Sequence, residues 1–322
     1  MVQSLLEGKL LIITGKGGVG KTTMAATIGL LAAEAGRRTI IVEVGEQSRM
    51  AELFDVPTPA AGDETKLGRN LSSISIDPDR ALLEWLQALG GRVSGRLLAS
   101  SGTFQYFAAA APGAKELVSM VKIWQLTRAG RGRPRHDLVI VDGPATGHAL
   151  GMLGSPQTFG AIARVGPIAG QTRHVEELLK DPTRTAYVAV ALATEMAVTE
   201  ALELQEGLER QLGRELAAVI VNGLLPRRFS PAEMTRIATL ERGPVSRDQA
   251  RVGKMSATEA RAVAAAAARA ARAVHERSRF QHNQLARLRR RSFEVLGLPF
   301  LWGEGIDIGG VRSLARQLAR KL

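Results

Sequence analysis

The sequence predicts an α/β fold: a doubly wound, mostly parallel sheet with an inserted helical subdomain. Three observations carry that expectation. Short runs of β-branched and aliphatic residues recur along the chain, and segments of helical spacing lie between them. A glycine-rich turn, ITGKGGVGKTT (13–23), joins the first such run to the first helical segment. Near-continuous apolarity marks strands of a parallel sheet covered on both faces, and strand–helix alternation marks a doubly wound layer.

The first strand is LLIIT (10–14), and the helix after it, TTMAATIGLLAAEAG, stops at Gly36 as a helix C-terminus does. TIIVEV (39–44), LSSISI (71–76), DLVIVD (137–142), TAYVAVAL (185–192) and AAVIVN (217–222) read as further strands. LPFLW (298–302) reads as the last. Residues 78–130 and 154–182 are too long for simple crossovers and show helical spacing without a strand signal, which predicts helical insertions. The stretch 226–294 is rich in Arg and Ala, both strong helix formers, and predicts a long helix around ARAVAAAAARAARAVHERSRF. No repeat or linker divides the chain, so residues 1–322 are expected to form one domain.

Composition narrows the chemistry. A hydrophobic fraction of 45% and a charged fraction of 23% are those of an ordinary globular protein. The chain has no cysteine, which excludes disulfides, thiolate-held zinc and a cysteine nucleophile, and fits a cytoplasmic protein. A net charge of +12 suits nucleic acid, an anionic membrane or phosphate-bearing ligands, and equally an arginine-rich composition. MVQSLLEGKLLIIT lacks the pattern of a secretory signal, and no segment reaches the ~20 apolar residues of a membrane span. A soluble protein is expected.

The glycine turn fits two patterns. As G-x-G-x-x-G (Gly15, Gly17, Gly20) it suits a dinucleotide site, with Glu43 where a ribose-binding acid belongs. As G-x-x-x-x-G-K-[ST] (Gly15 to Thr22) it is a phosphate-cradling P-loop. Lys21 and Thr22 decide for the second, because lysine offers a compact charge to β- and γ-phosphates and threonine a hydroxyl to Mg²⁺. Gly15, Lys16, Gly17, Gly18, Val19, Gly20, Lys21, Thr22 and Thr23 are therefore the candidate phosphate-binding residues. Their amides converge at a helix N-terminus. A triphosphate site also needs a strand-end acid for the metal, and Asp142 in DLVIVDGPATGH supplies one. Thr22 and Asp142 are the candidate metal residues.

GKGGVGKTT (15–23), with its second lysine Lys16, resembles the deviant Walker A of the SIMIBI class of P-loop proteins. DGPATGHAL (142–150) resembles the D-x-A-P-T-G-H-x-L switch II of the ArsA family, which includes the tail-anchored protein-targeting ATPases. VNGLLP (221–226) is similar to that family's adenine-contacting segment, with Asn222 in the base-recognition position, and APGAKELVSMVKI (111–123) to its helical subdomain. Pro299 counts among the nucleotide contacts that the resemblance implies. It implies further a Mg²⁺- and ATP-dependent dimer, homodimeric or formed with a paralogous ATPase. Lys16 would reach the partner's phosphates, and Asp142, Thr146 and Gly147 would couple the γ-phosphate to moving elements. His148 matches the family histidine. A protein client, such as a membrane-protein segment, would be bound or released as the dimer closes and opens.

The sequence departs from the family in switch I. Gly45 falls where the best-known members place a water-positioning Asp, leaving Glu43 and Glu46 nearby; Glu46 is the candidate catalytic carboxylate beside Lys16 and Asp142. VEV-x-x-Q-x-x-x-x-x-LFDVP (42–57) looks like the switch I of actinobacterial ArsA-like proteins. Without cysteine, arsenite transport is not expected, because arsenite is a soft ligand of thiolates. The zinc clasp of the eukaryotic targeting ATPases is missing too. FQYFAAAA (104–111) with Met120, Val121 and Trp124 reads first as core packing and second as a client groove. The RLRRR cluster (287–291) reads as a solvated helix face, since no aromatics interleave, and a nucleic-acid partner is not expected. Glu195 and Glu200 read as acids near a helix start. The alternatives are a non-hydrolysing nucleotide-gated chaperone or scaffold, and a positioning ATPase acting on nucleic acid or membrane.

Overall fold

A computed structural model describes residues 3–45, 48–60, 62–89, 113–128, 135–162, 166–242, 256–303 and 305–321. The first half runs α1 (Gln3–Glu7), β1 (Leu10–Thr14), α2 (Lys21–Glu34), β2 (Thr39–Val44), α3 (Arg49–Leu53), β3 (Thr65–Gly68), β4 (Leu71–Ile76) and α4 (Pro78–Leu89). The middle adds α5 (Ala114–Thr127), β5 (Leu138–Asp142), α6 (Thr146–Ile162), α7 (Gly166–Lys180), β6 (Thr185–Leu192) and α8 (Glu195–Leu212). The chain continues through β7 (Ala218–Leu224), α9 (Pro231–Arg242), α10 (Ala257–Leu288), β8 (Glu294–Pro299) and α11 (Ile308–Ala319).

The eight strands form one sheet in the order β3-β4-β2-β5-β1-β6-β7-β8, parallel except for β3 against β4. The central strands are apolar on both faces because helices cover both. Leu11, Ile12, Ile41, Ile140, Val188 and Val219 are fully buried, each contributing roughly 2 kcal/mol of apolar transfer. The register decides where function can sit. Asp142, the last residue of β5, lies beside Ile13 of β1 on one side and Glu43 of β2 on the other. Three strands thus end level, and the loops after them share the carboxyl edge, where open α/β sheets bind ligands.

The helix α2 ends as its sequence requires. Gly36 takes a left-handed φ of 86°, its N–H donates to the Ala33 carbonyl and the Arg37 N–H to that of Ala32, the paired bonds of a Schellman stop. The Arg/Ala-rich stretch yields the 32-residue α10, started by a capping box between Ser256 and Glu259. In the predicted helical insertions, α4 packs on α5, α5 on α6 and α7, and α6 on α7 and α8. Met120 and Val121 on α5 are buried in the main core, which favours the packing reading of that face. FQYFAAAA (104–111) lies outside the described residues.

Two elements differ from the sequence reading. The last strand is Glu294–Pro299 rather than 298–302, because β7 pairs with it from Ala218↔Glu294 to Leu224↔Pro299. It is an edge strand with alternating burial, a weaker apolar signal than LPFLW, whose Phe300 and Trp302 are exposed and meet edge to face. The edge strand β3 carries no apolar alternation, and its pairing with β4 alone defines it.

Candidate functional site

The loop between β1 and α2 is shaped by steric exclusion. Gly15 has φ 146°, and a Cβ there would stand 2.1 Å from the Val190 carbonyl oxygen, so only glycine fits. Gly20 holds the left-handed N-cap of α2, and a Cβ would meet Asn222 Nδ2 at 2.6 Å. No side chain caps α2. Its first amides therefore remain available, and with the helix dipole they form a ready anion site. Val19 is buried under the loop, and Gly17 and Gly18 are exposed at its crest. Thr23 is half-buried in the first turn.

Two strands then deliver the polar groups. Thr22 Oγ1 donates to Asp142 Oδ2 at 2.6 Å, tying the start of α2 to the end of β5. Asp142 Oδ1 is buried and has no hydrogen-bond partner among the described residues. Burial pushes the Asp142 carboxyl up, against the opposing pull of the Thr22 bond and of Lys21 and Arg49. A buried carboxylate oxygen with a free lone pair, one atom from a threonine hydroxyl, suits a hard cation or its water shell. Lys21 Nζ donates to the Lys16 carbonyl at 3.2 Å, folding the lysine back over the loop. Burial lowers its pKa, with Asp142 opposing. After Asp142 the chain makes a forced turn. A Cβ on Gly143 would meet the Ile13 carbonyl at 2.6 Å, and Thr14 Oγ1 donates to the Pro144 carbonyl at 2.8 Å. Thr146 Oγ1 is buried without a partner among the described residues, while Gly147 and His148 are exposed.

These groups open onto a cavity of about 500 Å³ lined by Lys21, Thr22, Asp142, Gly45 and Arg49 among others. Arg49 has no sequence motif to announce it. It enters because α3 starts at that residue, and α3 starts there because of Glu43. The Glu43 carboxylate accepts from the amides of Arg49 (2.7 Å) and Met50 (3.1 Å) and from Ser48 Oγ (3.2 Å). The structure engages Glu43 as the cap of α3, a role the sequence reading did not assign it, at the wall of the same cavity. Glu46 lies outside the described residues.

Glu200 needs correction, and Lys16 has a neighbour that the sequence did not announce. The Lys16 ammonium pairs with the Glu200 carboxylate on α8. Glu195 does open α8, behind the Thr194 cap, but Glu200 lies in its second turn and holds the P-loop lysine. The 184-residue separation explains why the sequence hid the pair. Asn222 Nδ2 donates to the Val19 carbonyl at 3.1 Å, bracing the loop from β7. Pro299 ends β8 beside Leu224, and the Phe300 amide donates to the Leu224 carbonyl at 2.9 Å. The structure thus joins Thr22 to Asp142 directly, places Lys21 with them in one cavity lining, sets Asn222 behind the loop, and turns Lys16 toward α8.

The chain is similar to known ATPases along nearly its whole length. ATPase BagA of Mycobacterium tuberculosis is 30% identical over 331 residues, covering 99% of this chain and 95% of that protein. The chain belongs to the ArsA family of anion-transporting ATPases. The family's sequence profile matches residues 8–166, from β1 through α6. An arsenical pump-driving ATPase of Acidiphilium multivorum is 27% identical over 233 residues, 67% of this chain but 39% of the relative. The ATPase ASNA1 homolog 1 of Paramecium tetraurelia is 30% identical over 152 residues, 46% of this chain and 44% of the relative. As an ArsA-family member the chain has an α/β core with a P-loop, and among its described residues no helix is long and apolar enough to cross a membrane.

Proposed function

We propose that this protein is a dimeric Mg²⁺-dependent ATPase in which ATP binding and hydrolysis open and close a helical surface that holds a protein client. The observation that carries the reading is the Thr22–Asp142 bond at the floor of the cavity, beside a buried carboxylate oxygen with no other partner. The loop amides from Gly15 to Thr23 would cradle the phosphates, Lys21 would swing from the Lys16 carbonyl to the β- and γ-phosphates, and Asn222 and Pro299 would border the base. Thr22 and Asp142 would hold Mg²⁺, which supplies neutralisation of phosphate charge when bound.

In the reaction, water attacks the γ-phosphorus, the bond to the β–γ bridging oxygen breaks, and ADP leaves with that electron pair. Lys21 and Arg49 carry positive charge at the cavity where the leaving charge develops. Glu43 is committed to α3, so the water-orienting role falls to Glu46, which follows the cavity-lining Gly45 in sequence.

Lys16 gives the dimer its driving force. In the single chain it is neutralised by Glu200; in a closed dimer it would exchange that carboxylate for the partner's phosphates. ATP would then bind the closed state more tightly than the open one, the condition for shifting the population at all. The partner is a second copy or a paralogous ATPase, and the client is a protein, such as a membrane-protein segment, bound on the helices α4 to α7.

Phosphate release from Mg·ATP tests the catalytic reading. The wild type is expected to turn over, and Lys21→Ala to lose about 10²–10³-fold, the scale of one transition-state charge contact. Equal rates in the two proteins would remove it. The engagement of Glu43 favours one second reading, a nucleotide-gated scaffold without hydrolysis, which predicts tight ATP binding with no phosphate release.

A further inference from the structure

A second cavity, of about 260 Å³, is lined by Arg227, Arg228, His275, Ser278, Arg279 and His282, with neutral residues completing the wall. It shares no lining residue with the cavity at Asp142. Arg227 and Arg228 stand on the segment between β7 and α9. His275, Arg279 and His282 recur at i, i+4 and i+7 on α10 and therefore share one helix face.

The two walls are fastened together. Gln281 Oε1 accepts from the Leu225 amide at 2.8 Å, and its Nε2 donates to the Gly223 carbonyl at 3.2 Å. The buried Ser278 donates to the Leu225 carbonyl at 3.4 Å. Pro226 and Pro231 restrict the loop further. His282 Nδ1 lies 2.7 Å from the Ser278 carbonyl oxygen and so carries its proton there, leaving Nε2 without a partner among the described residues.

The charges are unbalanced. No acidic side chain among the described residues lines the cavity. Among the described residues Arg227 and Arg279 have no ion-pair partner, and Arg228 meets only the Trp302 ring, at 5.8 Å. Guanidinium groups gathered on one small space repel one another, and a bound anion replaces that repulsion with charge-assisted hydrogen bonds. The arginine fork matches the oxygens of a phosphoryl group, and the volume, below the ~300 Å³ of the smallest ligand pockets, suits such a group rather than a whole nucleotide.

We propose that this cavity is a second phosphoryl-binding site, separate from the P-loop, whose ligand is a soluble phosphate compound or the phosphorylated head of a lipid. Calorimetric titration of the full chain with inorganic pyrophosphate tests it. Lys21→Ala, which weakens the P-loop, is expected to keep this binding, whereas Arg227→Ala/Arg279→Ala weakens it by about tenfold or more. The single variant Arg279→Gln, at an exposed helix position, gives the same direction at smaller size and guards against misfolding of the double variant. Absence of binding to the wild type, loss of it in Lys21→Ala, or no effect of the arginine variants overturns the proposal. Flotation with phosphatidic acid vesicles then assigns the source. Capture that Arg279→Gln reduces makes the ligand a lipid head group, and no capture alongside pyrophosphate binding makes it a soluble phosphate.

Discussion

Gly15 and Gly45 share the same backbone angle, φ 146°, at the ends of two strands on the same sheet edge, yet they live in opposite surroundings. A Cβ on Gly15 would strike the Val190 carbonyl at 2.1 Å, whereas one on Gly45 would meet nothing within 4 Å among the described residues. The phosphate-binding loop is therefore fixed from all sides, by β6 beneath it, Asn222 behind it and Thr22 tied to Asp142. The described residues flanking the stretch after β2 are held by hydrogen bonds instead: the Gly45 amide donates to the Ile76 carbonyl at 3.0 Å, its carbonyl accepts from Ser75 Oγ, and Ser48, Arg49 and Met50 donate to Glu43. A site that must present amides to phosphate before it arrives needs a loop held as the one at Gly15 is.

That contrast can be broken by substitution. Gly15→Ala combines an unfavourable φ with a backbone clash and is expected to cost about 3 kcal/mol and to abolish ATP binding. Gly45→Ala has the angle without the clash and should cost about 1 kcal/mol, with ATP still bound. Thermal melts and a nucleotide titration compare them, and equal losses would erase the distinction. Next in size is the α3 cap. Glu43→Ala should lower stability by about 1 kcal/mol, the worth of a helix N-cap. Glu43→Gln, whose amide oxygen can still accept from Arg49 and Met50, should lose less.

The pH dependence of the same group has a definite sign. Burial raises the Glu43 carboxyl above its ordinary range, against the hydrogen bonds that lower it. The folded chain thus holds that proton more tightly than the unfolded one. Its contribution is greatest below the usual Glu value of ~4.3 and declines as pH rises through the folded value. Glu43→Gln should flatten that decline in melts taken across acid pH, and an unchanged slope would argue against it. The smallest effect belongs to Glu200→Gln, which releases Lys16. It should reduce the ATP concentration for half-maximal turnover roughly two- to fivefold, the scale of a partly exposed ion pair. A rise instead would mean that Glu200 assists closure.

What was legible in the sequence follows the same division. β1, β2, β5, β6 and β7 are apolar on both faces, so composition alone marks them, and Gly15 and Gly20 are glycine because nothing else fits. Asp142 is legible because a strand end and a following Gly143 constrain it together. Arg49, Glu200 and the capping role of Glu43 were not, because each is defined by a partner or a helix start that local pattern does not encode. β3 and the limits of β8 were hidden for the related reason that edge strands carry half the apolar signal of central ones.

The central claim is that each nucleotide site is completed by the Lys16 of another subunit, and mixing two inactive proteins tests it most directly. Lys16→Ala supplies an intact Lys21, and Lys21→Ala an intact Lys16, so a mixed dimer assembles one complete site. Phosphate release should be low for each variant alone and recover to about a quarter of the wild-type rate in an equal mixture, as random pairing of a symmetric dimer requires. No recovery on mixing, or wild-type turnover by Lys16→Ala alone, would contradict the account.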